Sequence, residues 1–426
     1  VGGPWLGTDP DFDHWKKLCS GFGVPQAAIA QEMLFDELAD ALACDPLDFR
    51  LNNALRDGDS TVTGQIFESG VGISACLDAL RPHWQALMSE VGHENPGPDA
   101  RHRRGLGIAC GWYGCGNTSL PNPSTIKSVL RDDGRVVLFQ GAVDIGQGSN
   151  TAIAQIFASA LGCDVGHVVI EIGDTDVTPD AGKTSASRQT FVSGNAAKRS
   201  GEALREDILR VLGAPDDAVL EFGPALLGAR RAEAWWPFDD SGLTANNAGH
   251  LLHCEQSYDP PTSPLNSDGQ GEPYAQFGYA AHIADVTVDT LLGTVKVNRI
   301  LAAHDVGRAI NPLLVEGQVH GGVAQGVGMA LMEAYVPGVS EDLHSYLIPT
   351  VGDVPPIDTM IVEVPDLHGP YGAKGLGEHA LIPTAPAILN AIRRATGATL
   401  RSIPATPETL LEALAHASGN RESGDE

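Results

Sequence analysis

The sequence contains no apolar run that approaches the roughly 18 residues needed to cross a membrane. Its first residues, Val1-Gly2-Gly3-Pro4-Trp5, lack the basic and then apolar layout of a secretory signal. Basic residues are also scarce, since 27 Lys and Arg stand against 54 Asp and Glu, for a formal net charge of −27. Because phosphate backbones bind to basic surfaces, this charge argues against nucleic acid as a partner. We therefore expect a soluble, cytoplasmic protein with no membrane span.

The seven cysteines include no Cys-x-x-Cys pair, and their number is odd. That layout is typical of reduced thiols in the cytosol. No set of cysteines has ferredoxin spacing. If electrons leave this protein through iron–sulfur clusters, another chain must carry them.

The 426 residues, 42% of them hydrophobic, are enough to bury two or three cores of ordinary size. Segments with strand and helix patterns alternate along the chain, which predicts an α/β fold of the mixed α+β kind. A stripe of Ile29, Met33, Leu34, Leu38 and Leu42 predicts a helix with these residues in the core. The other predicted elements are hairpins over 126–140 and 282–300, helices over 152–161 and 196–212, and C-terminal helices opened by Thr384 and Thr406.

The glycine-rich segment 369–378 contains four glycines and one Lys and ends at Glu378. Closely spaced glycines let the backbone approach a bulky ligand. A carboxylate shielded from water gains proton affinity and can serve as a general base near neutral pH. Glu378 is therefore the leading catalytic candidate, although a tight turn followed by a solvated Glu fits the same pattern.

Two further segments have the pattern of anion sites. Residues 144–151 lie where a strand passes into a helix, so their N–H groups should converge at the helix N-terminus, and Gln147 adds a donor and an acceptor. An ordinary strand–helix turn remains the alternative. Residues 183–195 combine small hydroxyl side chains with the planar fork of Arg188, which suits a pyrophosphate. Neither segment matches a Walker A or a Gly-x-Gly-x-x-Gly motif, which argues against a conventional mononucleotide or NAD site.

Motifs spread over the whole chain carry a family resemblance. They are residues 21–26, 45–50, 146–148, 187–189, 194–195, 305–307, 311–312, 318, 321–322, 324–326 and 372–378. In their number and order the chain resembles the C-terminal half of the molybdenum-binding catalytic subunit of the xanthine oxidase family, and bacterial aldehyde oxidoreductases above all. The family usually has Arg before Gly-Phe-Gly, where this chain has Ser20. Cys19 lies out of register with the copper-binding Cys of carbon monoxide dehydrogenases, so we expect no copper site.

The resemblance implies insertion of a water-derived oxygen into a C–H bond of an aldehyde or N-heterocycle, with Glu378 as the base. It implies molybdenum held by the dithiolene of a molybdopterin dinucleotide, of the cytosine form, with no direct metal ligand from this chain. The cofactor-binding residues implied are Gly146, Gln147, Gly148, Ser185, Ala186, Ser187, Arg188, Gln189, Ser193, Asn195, Gly372, Ala373, Lys374, Gly375 and Gly377. Phe22 matches an aromatic position of the family's substrate channel. Tyr113 resembles a second aromatic of that channel, and Trp112 competes with Tyr113 for this role. Phe22 fits the core equally well, and Lys374 fits a solvated position equally well.

The resemblance also implies an organisation. Residues 1–100 would be a C-terminal remnant of the first molybdenum-binding domain, 101–417 the second domain, and 418–426 a polar tail, with the cofactor in a cleft between subdomains. The chain would be either a naturally split subunit, which we favour, or a partial chain. Expected partners are a second molybdenum-domain subunit, a subunit with 2Fe–2S clusters and a flavin subunit with FAD. A purine or xanthine dehydrogenase subunit and a non-catalytic scaffold are the alternative functions.

Overall fold

Two four-stranded sheets and one three-stranded sheet organise the described part of the computed structural model, which comprises residues 21, 23–94, 100–116 and 121–422. The helices are α1 (Val24–Ala41), α2 (Pro46–Asn52), α3 (Ile73–Glu94), α4 (Ser149–Leu161), α5 (Gly194–Leu212), α6 (Pro312–Leu331), α7 (Thr384–Thr396) and α8 (Pro407–Glu422). The strands are β1 (His102–Gly114), β2 (Ser124–Arg131), β3 (Val136–Gln140), β4 (Val168–Ile172), β5 (Val219–Phe222), β6 (Leu226–Arg231), β7 (Ala234–Pro237), β8 (His250–Tyr258), β9 (Phe277–Asp289), β10 (Thr294–Asp305) and β11 (Ile357–Val362). This mixture confirms the predicted mixed α/β fold class.

The first sheet has the order β1-β9-β10-β11, in which only the β10–β11 pair is parallel. Successive residues of its strands face opposite sides, so two cores form on one sheet. Ile283 and Leu301 pack with the residues of α3 on one side. Their neighbours Ala284 and Ala302 face α6 and α7 on the other side. The predicted hairpin over 282–300 is therefore confirmed as the centre of this sheet.

The second sheet has the order β4-β3-β2-β8, with β3 and β4 parallel. Its inner face packs on α4 and α5, with Phe157 and Leu204 in the shared core. Gly162 adopts a left-handed conformation after the last turn of α4. A glycine tolerates this conformation at no steric cost, which is why the helix ends at the predicted position.

Three predictions about helices were wrong in detail. Leu34 and Leu38 of α1 and Leu42, which follows its last residue, are 52%, 40% and 67% exposed, because the helix turns a different face, with Met33, toward the core. Thr384 is not an N-cap, since its hydroxyl pairs with His282 Nδ1 at 3.0 Å. Helix α8 continues to Glu422, within the segment 418–426 expected as a tail. None of the described helices is long and apolar enough to span a bilayer.

Candidate active site

A cleft of about 460 Å³ lies between the parts of the chain that carry the two large sheets. One wall comes from the second-sheet part, through segments 145–152 and 184–190. The other wall comes from the first-sheet part, through segments 306–325 and 374–378. Volumes of this size are typical of small-molecule and cofactor sites.

Glu378 lines this cleft and opens a short 3-10 helix, Glu378–Ala380. Its backbone N–H donates to Ser187 Oγ at 3.0 Å, and the Ser187 hydroxyl donates in turn to Glu378 Oε2. These reciprocal hydrogen bonds fix the carboxylate at the cleft wall. The Glu378 side chain is partly buried, so one face of the carboxylate stays accessible from the cleft.

Glycines beside the carboxylate allow the Ser187 segment to come close. A Cβ on Gly375 would lie 1.8 Å from the Ser187 carbonyl oxygen, and one on Gly377 would lie 3.0 Å from Ser187 Oγ. Ala186 and Ser187 themselves have φ values of 54° and 51°. Two consecutive non-glycine residues in the left-handed region are strained, and such strain is concentrated at functional sites.

The ammonium of Lys374 lies in a buried ion pair although the residue lines the cleft, so the expectation of a solvated Lys is wrong. It is fully buried, pairs with Asp305 and donates to the carbonyl of Gly70 at 2.6 Å. Burial raises the pKa of Asp305, and the charge of Lys374 opposes that rise. The buried pair therefore anchors the glycine-rich segment to the end of β10 and to the loop before α3.

The guanidinium of Arg188 is likewise not free to bind a pyrophosphate. It is fully buried and donates to the carbonyl oxygens of Ala181, Lys183, Asn122 and Pro123. Burial lowers its pKa to about 10. Arg188 thus holds two loops together beneath the cleft wall, because carbonyl oxygens accept from its Nη1 and Nη2 where a phosphate was expected, while its buried Nε has no partner among the described residues.

Other members of the predicted anion sites also have protein partners. Gln189 donates to the Lys183 carbonyl, and its Oε1 accepts from the buried hydroxyl of Ser193. Asn195 Nδ2 donates to the carbonyls of Phe191 and His368. These side chains stabilise the backbone of the cleft wall in the segment before α5 and in the first turn of that helix.

In the loop 144–150, the N–H groups that were expected to bind an anionic ligand donate to a carboxylate of the same loop. Asp144 accepts from the N–H groups of Gly146, Gly148 and Asn150. Burial would raise the pKa of Asp144, but these N–H groups outweigh it and the pKa is lowered. Gln147 folds back on the loop, donating to Ser149 Oγ at 2.9 Å. The N-terminus of α4 is therefore already neutralised before any ligand binds.

The structure brings most of the predicted residues to the cleft, but not all of them. Those that line it are Gly146, Gln147, Gly148, Ser185, Ser187, Arg188, Gln189, Lys374, Gly377 and Glu378. Those that do not line it are Ala186, Ser193, Asn195, Gly372, Ala373 and Gly375. Four further lining residues on or before α6 belong to the motifs that carry the resemblance but were given no role in the prediction, namely Asn311, Gln318, Gly321 and Gln325, and Arg308 was missed altogether. The helix start at Asn311-Pro312 and the helical spacing of 318, 321 and 325 were the signals that could have found them.

The predicted channel aromatics Tyr113 and Trp112 line a second cavity, of about 430 Å³. Burial raises the pKa of Tyr113, and the charge of Glu378 raises it further. The phenol is therefore neutral at physiological pH and lies within electrostatic reach of the candidate base. Phe22, the third channel candidate, lies outside the described residues.

A family model described as a molybdopterin cofactor-binding domain matches residues 79–355. The xanthine dehydrogenase molybdenum-binding subunit of Escherichia coli O157:H7 is 34% identical over 415 residues, which are 92% of this chain and 52% of that protein. The aldehyde oxidoreductase of Megalodesulfovibrio gigas is 32% identical over 420 residues, which are 96% of this chain and 43% of that protein.

A solved structure of an aldehyde oxidoreductase is also similar to this chain. The crystal structure of the aldehyde oxidoreductase from Desulfovibrio desulfuricans aligns with a TM-score of 0.80 at 31% identity, over 92% of this chain and 41% of its own. The chain spans about half the length of the curated relatives it matches.

Proposed function

The chain belongs to the family of molybdopterin cofactor-binding domains and corresponds to the C-terminal part of a xanthine oxidase family molybdenum subunit, and from this premise we propose that it carries the catalytic base of a molybdenum hydroxylase. The substrate is an aldehyde or an N-heterocycle. The observation that supports this most is the Glu378 carboxylate, held by Ser187 at the wall of the cleft between the two parts of the fold.

The cleft suits a bulky organic cofactor rather than a metal bound by side chains. A Cβ on Gly146 or Gly321 would meet nothing within 4 Å, so both glycines leave the cleft open. Gln318 and Gln325 add amide groups, which can donate to and accept from the heteroatoms of a pterin. No cluster of His, Cys, Asp or Glu able to hold a metal ion occurs among the described residues.

When bound, the molybdenum–pterin group supplies oxygen-transfer and redox chemistry. In the overall reaction R–H and water give R–OH, two protons and two electrons. Glu378 accepts a proton from the water that provides the oxygen, and Ser187 keeps the carboxylate oriented while it does so. The electrons pass to iron–sulfur clusters on a partner chain.

A dinucleotide form of the cofactor, with cytosine, is part of the proposal. A further cavity of about 370 Å³ adjoins the cleft and shares Arg308, Ala309 and Ile310 with it. Arg308 is exposed and forms no ion pair with any other described residue. A free cation between two cavities suits a pyrophosphate linker, which Arg188 cannot bind through its engaged guanidinium.

The proposal includes partners and a compartment. We assign residues 1–100 and 101–417 to the first and second molybdenum-binding domains, completed by a second molybdenum-domain subunit, with iron–sulfur and flavin subunits receiving the electrons. The free cysteines within the described ranges support a cytoplasmic location, since an oxidising compartment favours disulfides.

The direct test is a Glu378→Gln variant of the purified complex, with molybdenum measured by mass spectrometry. We expect unchanged molybdenum content and a loss of kcat of at least about 100-fold, because a general base is removed while the shape is kept. Glu255→Gln, an exposed position on β8, is the matched control and should keep its activity. A molybdenum-replete Glu378→Gln enzyme with normal turnover would contradict the proposal and favour a scaffold role.

A further inference from the structure

Three histidines form a buried cluster next to the candidate base, on the side of the first sheet that faces α6 and α7. They are His282 on β9, His304 on β10, and His379, which follows Glu378 in the 3-10 helix Glu378–Ala380. All three side chains are fully buried. The ring centroids of His282 and His304 are 4.9 Å apart, and those of His304 and His379 are 5.6 Å apart. The proposed reaction uses none of these rings.

Hydrogen bonds hold the first two rings in a geometry that excludes two charges. His282 Nδ1 pairs with the hydroxyl of Thr384 at 3.0 Å, and His282 Nε2 lies 2.8 Å from His304 Nε2. In such a nitrogen–nitrogen hydrogen bond one atom donates and the other accepts, whichever tautomer is present. If both rings were charged, two N–H groups would face each other. The pair therefore keeps this geometry only while at least one ring is neutral.

The third ring is held by packing. Neither nitrogen of His379 has a hydrogen-bond partner among the described residues, and the same is true of His304 Nδ1. The His379 ring lies on the backbone of β9, since a Cβ on Gly278 would be 2.4 Å from its Cε1 and 2.7 Å from its Nδ1. Because only a glycine leaves room for the ring, this contact ties the 3-10 helix of the base closely to the sheet.

The surroundings oppose a charge on each ring. Burial, and then the charge of His379, lowers the pKa of His282 to about 3. Burial, and then the charge of Lys374, lowers the pKa of His379 to about 3. Burial and both neighbouring rings lower the pKa of His304 as well. The cluster is therefore neutral at physiological pH.

The ionisable groups around the rings supply no counter-charge. Asp305 follows His304 and so points to the other side of the sheet, where it pairs with Lys374. Burial raises the pKa of Tyr113, so this phenol is neutral, and Glu378 lines the cleft. The ionisable side chains of α6 and α7 are the exposed Glu316 and His320, and Arg393 and Arg394, which pair with Asp36.

A protonated His379 can regain hydration only by leaving its position. A buried charge without a partner is strongly unfavourable, so the ring would move out to water. Glu378 directly precedes His379 in the same helical turn, and displacement of the ring would therefore displace the base. A general base must be fixed within a fraction of an ångström to work well.

We propose that His379 is a positioning residue for Glu378, and that the cluster of His282, His304 and His379 keeps the base in place only while its rings are uncharged. The assignment rests on the proposed hydroxylase function and adds a pH limit to the same site. Turnover is then lost in acid through more than the protonation of Glu378 itself.

Linkage gives the pH range of this loss. A histidine released to water has a pKa of about 6.5. Because the pKa of each ring is lower in the folded state, the stabilisation is fully present above about pH 6.5 and is lost as the pH falls toward the folded value. Each ring raises the equilibrium constant of its release by up to about 10-fold per pH unit, and the three together by up to about 1,000-fold.

The first test is the acid limb of kcat for the purified, molybdenum-replete complex between pH 7.5 and pH 4.5. Benzaldehyde is the substrate, and a ferricenium salt, whose reduction takes up no proton, is the acceptor. Protonation of Glu378 alone gives a slope of 1 for log kcat against pH, whereas loss of the cluster should give a slope of at least about 2. A wild-type slope of 1 overturns the proposal, and this measurement needs no variant.

A His379→Phe variant tests the ring, because it keeps a flat side chain on Gly278 without a titratable nitrogen. It should keep kcat at pH 7.5 within about 5-fold and lower the slope of the acid limb by about 1. His379→Gln, which is smaller, should give the same result where the larger ring hinders folding. The control His253→Gln, at an exposed position of β8, should keep the wild-type slope. An unchanged slope in both His379 variants overturns the positioning role.

The second test needs no turnover and separates this proposal from the hydroxylase function. Urea unfolding of the chain, followed by circular dichroism at pH 5.5 and pH 4.5, gives the equilibrium constant of unfolding. Its rise over this pH unit should be about 10-fold smaller in the His379 variants than in the wild type, because they take up one proton fewer. Equal rises overturn the proposal. A 10-fold difference beside normal turnover of the Glu378→Gln complex overturns the hydroxylase function and the positioning role with it, while the acid sensitivity of the fold stands.

Discussion

In a Lys374→Met variant, Asp305 would stay buried without the ammonium that now pairs with it, since neither side chain is exposed. The N–H groups of Gly307 and Val364 would still donate to its Oδ1, at 2.9 and 3.1 Å. Removing one partner of a buried ion pair costs about 3–5 kcal/mol of folding free energy. The variant can avoid the buried charge by protonating Asp305, which at pH 7 costs about 4 kcal/mol for a carboxyl with an ordinary pKa of about 3.9. Whether Asp305 stays ionised or becomes protonated, the expected loss of folding free energy is therefore of the same size.

The loss should grow with pH. Burial raises the pKa of Asp305 and Lys374 opposes the rise, so removing Lys374 raises the folded-state pKa further. A carboxyl whose pKa is higher in the folded than in the unfolded state lowers stability as pH rises from the unfolded toward the folded pKa. Between pH 5 and pH 7 the variant should therefore lose stability relative to the wild type, by at most about 1.4 kcal/mol per pH unit.

Urea unfolding followed by circular dichroism at both pH values measures these losses. The double variant Lys374→Met/Asp305→Asn serves as the control, because it carries no buried charge and its loss should not depend on pH. A Lys374→Met protein within about 1 kcal/mol of the wild type at pH 7, the range of exposed ion pairs, would refute the reasoning. An equal loss at pH 5 and pH 7 would do the same.

Three other substitutions test the cleft. Ser187→Ala should lower kcat by about 10- to 100-fold with molybdenum retained, because it removes a hydrogen bond to Glu378, the proposed base, and unchanged kcat would contradict that role. Gly321→Leu should raise the unfolding free energy by about 0.5–1 kcal/mol, because a helical glycine is replaced, yet abolish molybdenum binding, because the new side chain enters the cleft. The control Gly317→Leu, one turn earlier and away from the cleft, should give the same gain in stability and keep the metal. Arg308→Gln should weaken the binding of cytidine diphosphate, measured by calorimetry, by at least about 10-fold, while Arg135→Gln, paired with Asp133 on the surface, should not.

Local signals in the sequence predicted the elements well. Gly162 and Gly397 end their helices in left-handed conformations, where the spacing of apolar residues stops. Patterns of this kind depend only on residues close along the chain. The apolar stripe of α1 led to a wrong prediction of burial. Periodicity shows which face of a helix is apolar, but it does not show whether another part of this chain packs on that face.

Side-chain roles in the site could be predicted only where they are local. Arg188 has a side chain suited to binding a phosphate. Its guanidinium instead donates to the carbonyls of Asn122 and Pro123, which are distant along the chain. The glycines near Glu378 were predicted to let the backbone approach a bulky ligand, whereas the structure shows another segment of the chain close to Gly375 and Gly377. The atoms that approach are those of Ser187, 191 residues earlier in sequence than the carboxylate they hold.

The position of Glu378 therefore depends on contacts from several distant segments. Ser187 holds its side chain and its N–H, Gln276 Oε1 accepts from the N–H of Gly375 at 2.9 Å, and Lys374 anchors the segment to Gly70 and to the end of β10. These anchors come from both large sheets and from the loop before α3. Since a general base must be fixed within a fraction of an ångström to work well, the site forms only when all of these segments are folded together. The proposed boundary near residue 100 then divides the chain in sequence, while the anchoring of the base extends across it through Gly70.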